Sequence, residues 1–464
     1  MSDTRFDDYY AIIPHPTNSS ILLLKSEYGW TLPKATVPLS PDDGRWRDAF
    51  RVNAAFYQLL GCTLTVLECL YVSPFPAIGQ HGSSVFVMSN HGSGWVLPPE
   101  GAWISYEKLV TLSLAVPEHH NVLKQWREKI ESPLHNELPW THDGWFEEAS
   151  VWIQTQLHRQ GVIATGPIEQ ARSWFISSLL RLPTTVGEVY FKAVSSTDVH
   201  EPLLTQMLAR HYPTLVPIVL AVHEEHHWLL MKAAPGQKKP SSANPLDSIA
   251  QWKTLLQTYA RMQRAYTQYT EQLLALGCHD WRLEQLIEYI DPFFAELPSV
   301  LSGAWNPLTQ VEQEDLQAVI PRLKSFCIEL MQLNISATLH HGDFHRGNII
   351  VNETTCTLID WSAFVGVTHP FLSLWLPLSD WNQELGHQLC ESYLEVWSDF
   401  APMELLYSAV IKAHPLSELC GALGHCYQIV HAHTALSWDI LNEQEHLLDC
   451  LRNVLTLMQD SSIS

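Results

Sequence analysis

Asp343 and Asn348 stand five positions apart in the run His341-Gly342-Asp343-Phe344-His345-Arg346-Gly347-Asn348, and Asp360 follows twelve positions later, behind the apolar segment Thr357-Leu358-Ile359 and before Trp361. An acid, an amide and a second acid at this spacing suit phosphoryl transfer, which needs a carboxylate on the acceptor hydroxyl and hard oxygen ligands for magnesium, all converging within a few ångströms. Singly, each has an ordinary reading: Asp343 as a turn residue, Asn348 as a loop cap, Asp360 as a strand terminus, since Asp and Asn bond readily to nearby backbone. Their joint occurrence points to chemistry.

Two short strands and a turn would deliver these groups. Ala337-Thr338-Leu339 reads as the strand entering the loop and Ile349-Ile350-Val351 as the strand leaving it, with Asn352-Glu353-Thr354-Thr355 a polar turn into the strand that ends at Asp360. The pattern H-G-D-x-H-x-x-N followed by I-D-W resembles the aminoglycoside phosphotransferase family, which also includes choline and other small-molecule kinases. The similarity covers about residues 150–464 and is most specific over 341–361.

A kinase-type site also uses a lysine, carried on a strand, to hold nucleotide phosphates. Glu188-Val189-Tyr190-Phe191-Lys192-Ala193-Val194 offers one, set among apolar neighbours where it needs a phosphate or carboxylate partner, or else snorkels at an edge. Between Lys192 and Pro213 the acids are Asp198 and Glu201. Glu201 is preferred as the partner, although its place directly before Pro202 equally suits a helix N-terminus. The segment Pro183-Thr184-Thr185-Val186-Gly187 has one glycine, so it is no Gly-rich loop.

The resemblance implies an α+β, bilobal protein-kinase-like fold with a small β-rich N-lobe and a mainly helical C-lobe. It also implies ATP or GTP with Mg2+ as cofactors, and a small-molecule hydroxyl as acceptor. Trp228-Leu229-Leu230-Met231, running on to Gly236, looks like the family's hinge, which would place Met231 and Ala233 on the nucleotide. His369-Pro370-Phe371 takes the place of a helix-capping segment. In this frame Asp343 accepts or orients the hydroxyl proton, Asn348 and Asp360 hold magnesium, Lys192 meets phosphate and Glu201 positions the lysine. His345 and Arg346 sit close enough to touch phosphate or Asp343, while His341 supports the loop through hydrogen bonds.

The first 130 residues are a different region. Strand-like runs Ala11-Ile12-Ile13 and Ile21 to Lys25 flank a turn at Pro14 to Ser20, a helix is expected over Trp46–Leu60 ending at Gly61, and strands near Leu64–Tyr71 and Val85–Met88. The approach Trp30-Thr31-Leu32-Pro33-Lys34 and the glycine-closed helix resemble a small α/β Nudix hydrolase domain. That family's helix binds magnesium through glutamates in R-E-x-x-E-E-x-G register, and aligned on Gly61 those places hold Ala54, Ala55, Gln58 and Leu59. With all three carboxylates missing, hydrolysis by that mechanism is not expected, leaving ligand recognition, packing or assembly as its task.

The division expected is 1–140, Nudix-like; 141–236, N-lobe and hinge; 237–464, helical C-lobe with the catalytic loop. A linker is expected around Ser132–Pro139, and helices over 248–276, 315–333, 384–400, 403–413 and 416–441. Composition fits: 464 residues, 46% hydrophobic, with apolar runs too short to cross a bilayer and an acidic, polar start instead of a secretory signal. Nine cysteines without a C-x-x-C pair argue for free thiols and a cytoplasmic setting. A net charge of -22 disfavours nucleic acid as partner and suits a cationic acceptor. His223-Glu224-Glu225-His226-His227 lies between strand-like runs and reads as a hairpin turn. His414, His425, His431, His433, Trp438 and Asp439, with Asp380 and Trp381, receive no role, since a histidine on an apolar helix is usually a hydrogen-bonded core residue. The competing reading keeps the fold without turnover, as a nucleotide-binding, pseudokinase-like sensor. No spacing identifies the acceptor or the oligomeric state.

Overall fold

The front of the chain mixes two sheets, because its apolar runs alternate with period two and must bury two faces. The computed structural model describes residues 5–39, 48–73, 81–91, 95–131, 138–238, 249–352, 355–379, 383–431 and 437–459. Asp380, Trp381, His433 and Trp46, which carry expectations above, lie outside them, as does most of the expected linker. The chain divides into two compact units, one over Met1–Ser195 and the other over Ser196–Ala432 with Asp439–Ser464. The division falls inside the expected 141–236 segment.

In the first unit a four-stranded sheet runs in the order Lys34–Leu39, Arg5–Ile12, His81–Asn90, Leu64–Val72. Arg5–Ile12 pairs parallel with His81–Asn90, and the other pairings are antiparallel. Tyr9, Ala11, Phe86 and Met88 point to one face and meet Val52, Phe56 and Leu60 of the helix Ala49–Leu60. Tyr10, Ile12, Val85 and Val87 point to the other face and meet Leu123 and Trp126 of the helix His119–Glu131. Ser20–Ser26 joins a separate three-stranded sheet between Gly29–Thr31 and Gly101–Ser105.

The helix Ala49–Leu60 begins where the Asp48 side chain accepts from the Arg51 amide and ends at Gly61, left-handed at φ 67°. Behind it come the helix Trp145–Arg159 and the antiparallel strands Glu169–Ser173, Ser177–Thr184 and Gly187–Val194. Gln170, buried, ties these strands to the front sheet. Its side-chain oxygen accepts from the Val66 amide at 2.8 Å and from Asn53 Nδ2 at 3.1 Å, while its Nε2 donates to the Val66 carbonyl at 2.7 Å. It thus pairs with Val66 as a strand neighbour's peptide group would, beside the register shift between Val66 and Glu68.

The second unit opens with the helix Glu201–His211 and the antiparallel hairpin Val219–His223 with Trp228–Lys232, whose turn is the His-rich run. Its core is helical: Ile249–Tyr266, Leu283–Val300, Gln310–Met331, Gln383–Leu394, Met403–His431 and Ser437–Gln459. Two three-stranded sheets are set among them. One runs Gln237–Lys238, Ile349–Val351, Cys356–Leu358, and the other His279–Asp280, Gly366–Thr368, Thr338–His340.

The helices differ from expectation in three places, two of them at prolines. The helices expected over 403–413 and 416–441 are one helix, Met403–His431, through Pro415, with the next starting at Ser437. Leu283–Val300, unforeseen, contains Pro292 and Pro298. Proline removes one donor and crowds the preceding turn, yet buried Leu406, Val410, Leu416 and Leu419 outweigh that local cost. The helix expected over 248–276 stops at Tyr266 and resumes as Thr270–Ala275. No helix among the described residues is long and apolar enough to cross a membrane, and all nine cysteines are free thiols.

Candidate active site

The loop 341–348 leaves the strand Thr338–His340, which is held from behind by the helix Ile249–Tyr266. Gln263, fully buried, donates to the Leu339 carbonyl at 2.9 Å, and its own carbonyl accepts from Thr338 Oγ1 at 2.5 Å. Tyr259 on the same helix face accepts from the His341 amide at 3.0 Å, and burial pushes its phenol up to about 12. A hydroxyl and an amide on an otherwise apolar stripe with Trp252, Leu256 and Tyr266 were the sequence signal for this support, and it passed unread.

His341 is buried and fixes the turn. Its Nδ1 accepts from the Asp343 amide at 3.3 Å, so Nε2 carries the proton and meets the Ile359 carbonyl at 3.2 Å. Burial lowers its pKa, opposed by Asp343 and Asp360, which keeps the ring in this neutral form. Gly342 is left-handed at φ 77°, and a Cβ there would stand 1.9 Å from the Phe364 carbonyl oxygen. Only glycine fits.

Asp343, Asn348 and Asp360 are brought together. Asn348 Nδ2 donates to Asp343 Oδ2 at 2.7 Å and to the Asp343 carbonyl at 3.0 Å, which leaves Oδ1 as the amide's acceptor atom. The Ile359 amide donates to the Asn348 carbonyl at 2.9 Å, so Asp360 follows directly beside Asn348. Asp360 is left-handed at φ 67°, a conformation that costs a non-glycine residue on the order of 1 kcal/mol, and Ser362 Oγ donates to its Oδ1 at 2.7 Å. Asn348 Oδ1 and the Asp360 carboxylate are hard oxygen donors, a set that fits Mg2+ shared with nucleotide phosphates. Among the described residues, no group of three His, Cys, Asp or Glu side chains is disposed to hold a metal.

His345 Nδ1 accepts from the Gly347 amide at 3.0 Å, which turns Nε2 toward Asp343 Oδ1 at 3.5 Å. The Asp343 side chain is 38% exposed, so a hydroxyl can reach it. Arg346 has its guanidinium over the Trp252 ring at 6.0 Å.

The hinge-type segment runs along the strand Trp228–Lys232 and reaches the strand leaving the loop, Ile349–Val351, only at its Gly236 end. Met231 pairs with Val219, Ala233 follows the strand, and Gly236 at φ 125° packs where a Cβ would be 2.3 Å from the Val351 carbonyl oxygen. Asn352 Nδ2 donates to the Pro235 carbonyl at 3.3 Å.

Glu201 begins its helix and is buried. Asp198, the other acid considered, is also buried and accepts from Thr197 Oγ1 at 2.6 Å. Lys192 belongs to the first unit, buried on Gly187–Val194 opposite Leu179. The segment before it is a tight turn in which Thr184 Oγ1 donates to the Gly187 carbonyl at 2.6 Å.

Residues 201–406 match the model of the phosphotransferase enzyme family, so this segment carries the sequence pattern of a phosphotransferase. The match includes Glu201, Met231, Ala233, Asp343, Asn348 and Asp360 and begins after Lys192. No curated protein sequence matches the chain. Among solved structures, a choline/ethanolamine kinase family protein of Mesorhizobium loti is 14% identical over 68% of this chain and 96% of its own, at a TM-score of 0.45. An ethanolamine kinase of Plasmodium vivax is 10% identical over 72% and 94%, at 0.46. The macrolide 2'-phosphotransferase of Brachybacterium faecium is 14% identical over 65% and 97%, at 0.46.

Proposed function

We propose that this protein is an ATP- and Mg2+-dependent phosphotransferase of protein-kinase-like, two-lobed fold that phosphorylates a hydroxyl of a small molecule of aminoglycoside, amino-alcohol or sugar type. The observation that carries this reading is the 2.7 Å bond from Asn348 Nδ2 to Asp343 Oδ2, with the Asn348 carbonyl holding Ile359 just before Asp360. One hydrogen-bonded unit thereby presents a carboxylate to the acceptor and two oxygen donors to a cation.

In this reading the partly exposed Asp343 carboxylate takes or orients the acceptor's proton, while Asn348 fixes its rotamer. Asn348 Oδ1 and Asp360 hold magnesium, which would offset charge on the nucleotide phosphates. Lys192 contacts phosphate, Glu201 positions it, and Met231 and Ala233 meet the nucleotide, ATP or GTP. His341 keeps Asp343 in register with Ile359. The chain's net charge of -22 favours a cationic acceptor and no nucleic acid, and the free cysteines suit a cytoplasmic setting. Residues 1–140 are read as a Nudix-like domain without hydrolytic residues, followed by the N-lobe over 141–236 and the C-lobe over 237–464. The support for the front domain is its glycine-closed helix against a mixed sheet.

The test is ATP consumption with magnesium across aminoglycosides, amino alcohols and sugars, beside thermal stability with and without Mg-ATP. Turnover on an acceptor that Asp343→Ala removes, with a Mg-ATP stability shift that Asp360→Ala removes, is the expected result. Nucleotide binding without turnover on any acceptor would favour the sensor instead.

A further inference from the structure

His200 stands directly before Glu201 and is fully buried, and the site described above gives it no task. It begins the helix Glu201–His211 without a side-chain cap bond. Its ring instead reaches the segment that follows Asp360, where Nε2 lies 3.1 Å from the Ser362 carbonyl oxygen, a partner 162 positions away in sequence. A carbonyl only accepts, so Nε2 carries a proton and donates it. The bond ties the start of the Glu201 helix to the turn behind the second acid of the candidate site.

Ser362 carries that restraint to Asp360. Its Oγ donates to Asp360 Oδ1 at 2.7 Å, so a serine fixed at its carbonyl holds the carboxylate through its hydroxyl. Asp360 needs such a hold, because its backbone is left-handed at φ 67°, where a non-glycine residue persists only if its surroundings determine it. Those surroundings are specific. The Ala363 carbonyl bonds to the His279 ring, the His279 amide donates to the Val365 carbonyl at 3.0 Å, and the Phe364 carbonyl packs on Gly342. His200 and His279 thereby take the carbonyls of consecutive residues. The two histidines are themselves neighbours, since the turn at Gly277 that leads to His279 lies beside Val199 and His200.

A buried histidine usually serves the core alone. His200 differs in its partner, the backbone of a residue whose hydroxyl holds a carboxylate of the candidate site. We propose that His200 is a positioning residue for the cation: through Ser362 it sets the pose of the Asp360 carboxylate, so that losing its N–H weakens what magnesium adds to nucleotide binding. The inference rests on the reading of Asp360 as a magnesium ligand, and it does not require turnover. Groups that orient a metal ligand from behind commonly matter to metal affinity nearly as much as the ligand's own atoms.

Calorimetry of the full chain with ATP, once in Mg2+ and once in EDTA, reads the gain in ATP affinity that magnesium gives. His200→Leu is expected to lower that gain roughly tenfold and to leave the affinity in EDTA unchanged. His200→Gln, whose Nε2 can stand in for the ring's donor, should recover most of it. Ser362→Ala removes the hydroxyl at the far end and should lower the gain as far as His200→Leu does, with the double variant no worse, because both act through one chain of bonds. A histidine that merely stabilises the core would instead lower the melting temperature and both ATP affinities together. An unchanged gain in His200→Leu, an equal loss in His200→Gln, or additive losses in the double variant would each overturn the proposal. If His200→Leu does not fold, an unchanged gain in Ser362→Ala overturns it alone. A wild type that gains nothing from magnesium would remove Asp360 as a ligand, and this inference with it.

Discussion

Two segments of this chain contain a left-handed glycine and invite a reading as magnesium sites, and they differ in what stands around the glycine. At 341–360 the turn of Gly342 is wedged against the Phe364 carbonyl, and an acid and an amide that follow are joined by a hydrogen bond, with a second acid held next to them through the Ile359 backbone. At 49–61 the helix keeps its Asp48 cap and its left-handed Gly61, but nothing stands within 4 Å of where a Cβ on Gly61 would lie, and Ala55, Gln58 and Leu59 stand at the three places where that register would have acids. Backbone design and chemical endowment are therefore separable. A glycine can mark a turn with or without the groups that make the turn a site.

The comparison breaks most decisively at Asp343. Asp343→Ala should lower kcat by roughly 10²–10⁴-fold while leaving the Mg-ATP stability shift in place, whereas Gln58→Ala should change neither. Comparable losses from both, in the same turnover assay, would erase the distinction. Asp360→Asn comes next. It retains a residue tolerant of the left-handed backbone, so melting without ligand should stay within about 0.5 kcal/mol of wild type while the magnesium-dependent shift disappears. A persisting shift would remove Asp360 from the cation.

The two glycines themselves sharpen the contrast. Gly342→Ala combines positive φ with a backbone clash and should cost at least about 2 kcal/mol in denaturant unfolding, with turnover lost. Gly61→Ala meets open space and should cost about 1 kcal/mol. Equal costs would mean that the wedge against Phe364 is not rigid.

The smallest effect is acid sensitivity. Among the described residues, burial holds His279, His340, His369 and His414 of the second unit at about 4, 3, 3 and 4, against His119 at about 4 in the first. Unfolded, each titrates near 6.5 and so binds a proton that the folded form refuses between its folded value and about 6.5. This contribution is fully present above about pH 6.5 and is lost as pH falls, by up to about 1.4 kcal/mol per pH unit for each ring. Amide hydrogen exchange at pH 7 and pH 5 should show core protection in the second unit falling more than in the first. A uniform fall would mean that other groups set the acid response.

The loop, its flanking strands, the His-rich hairpin and the front strands were legible in sequence because each rests on local rules: turn residues, period-two burial and glycine closure. The support behind the loop was not, since Tyr259 and Gln263 act on residues about 80 positions away and look like helix-face variation in one dimension. Leu283–Val300 hid behind Pro292 and Pro298, whose local penalty reads as a break until the burial of Leu286, Ile290, Phe293 and Leu297 is known.

Gln170 bears on how this chain can be recombined. Its side chain does for Val66 what a neighbouring strand's peptide would, so the front sheet ends on an atom group encoded over a hundred positions downstream. A crossover between related sequences made anywhere from 67 to 169 would part that pairing, and chimeras that inherit Val66 and Gln170 from different parents survive only where both parents keep an amide at the second position.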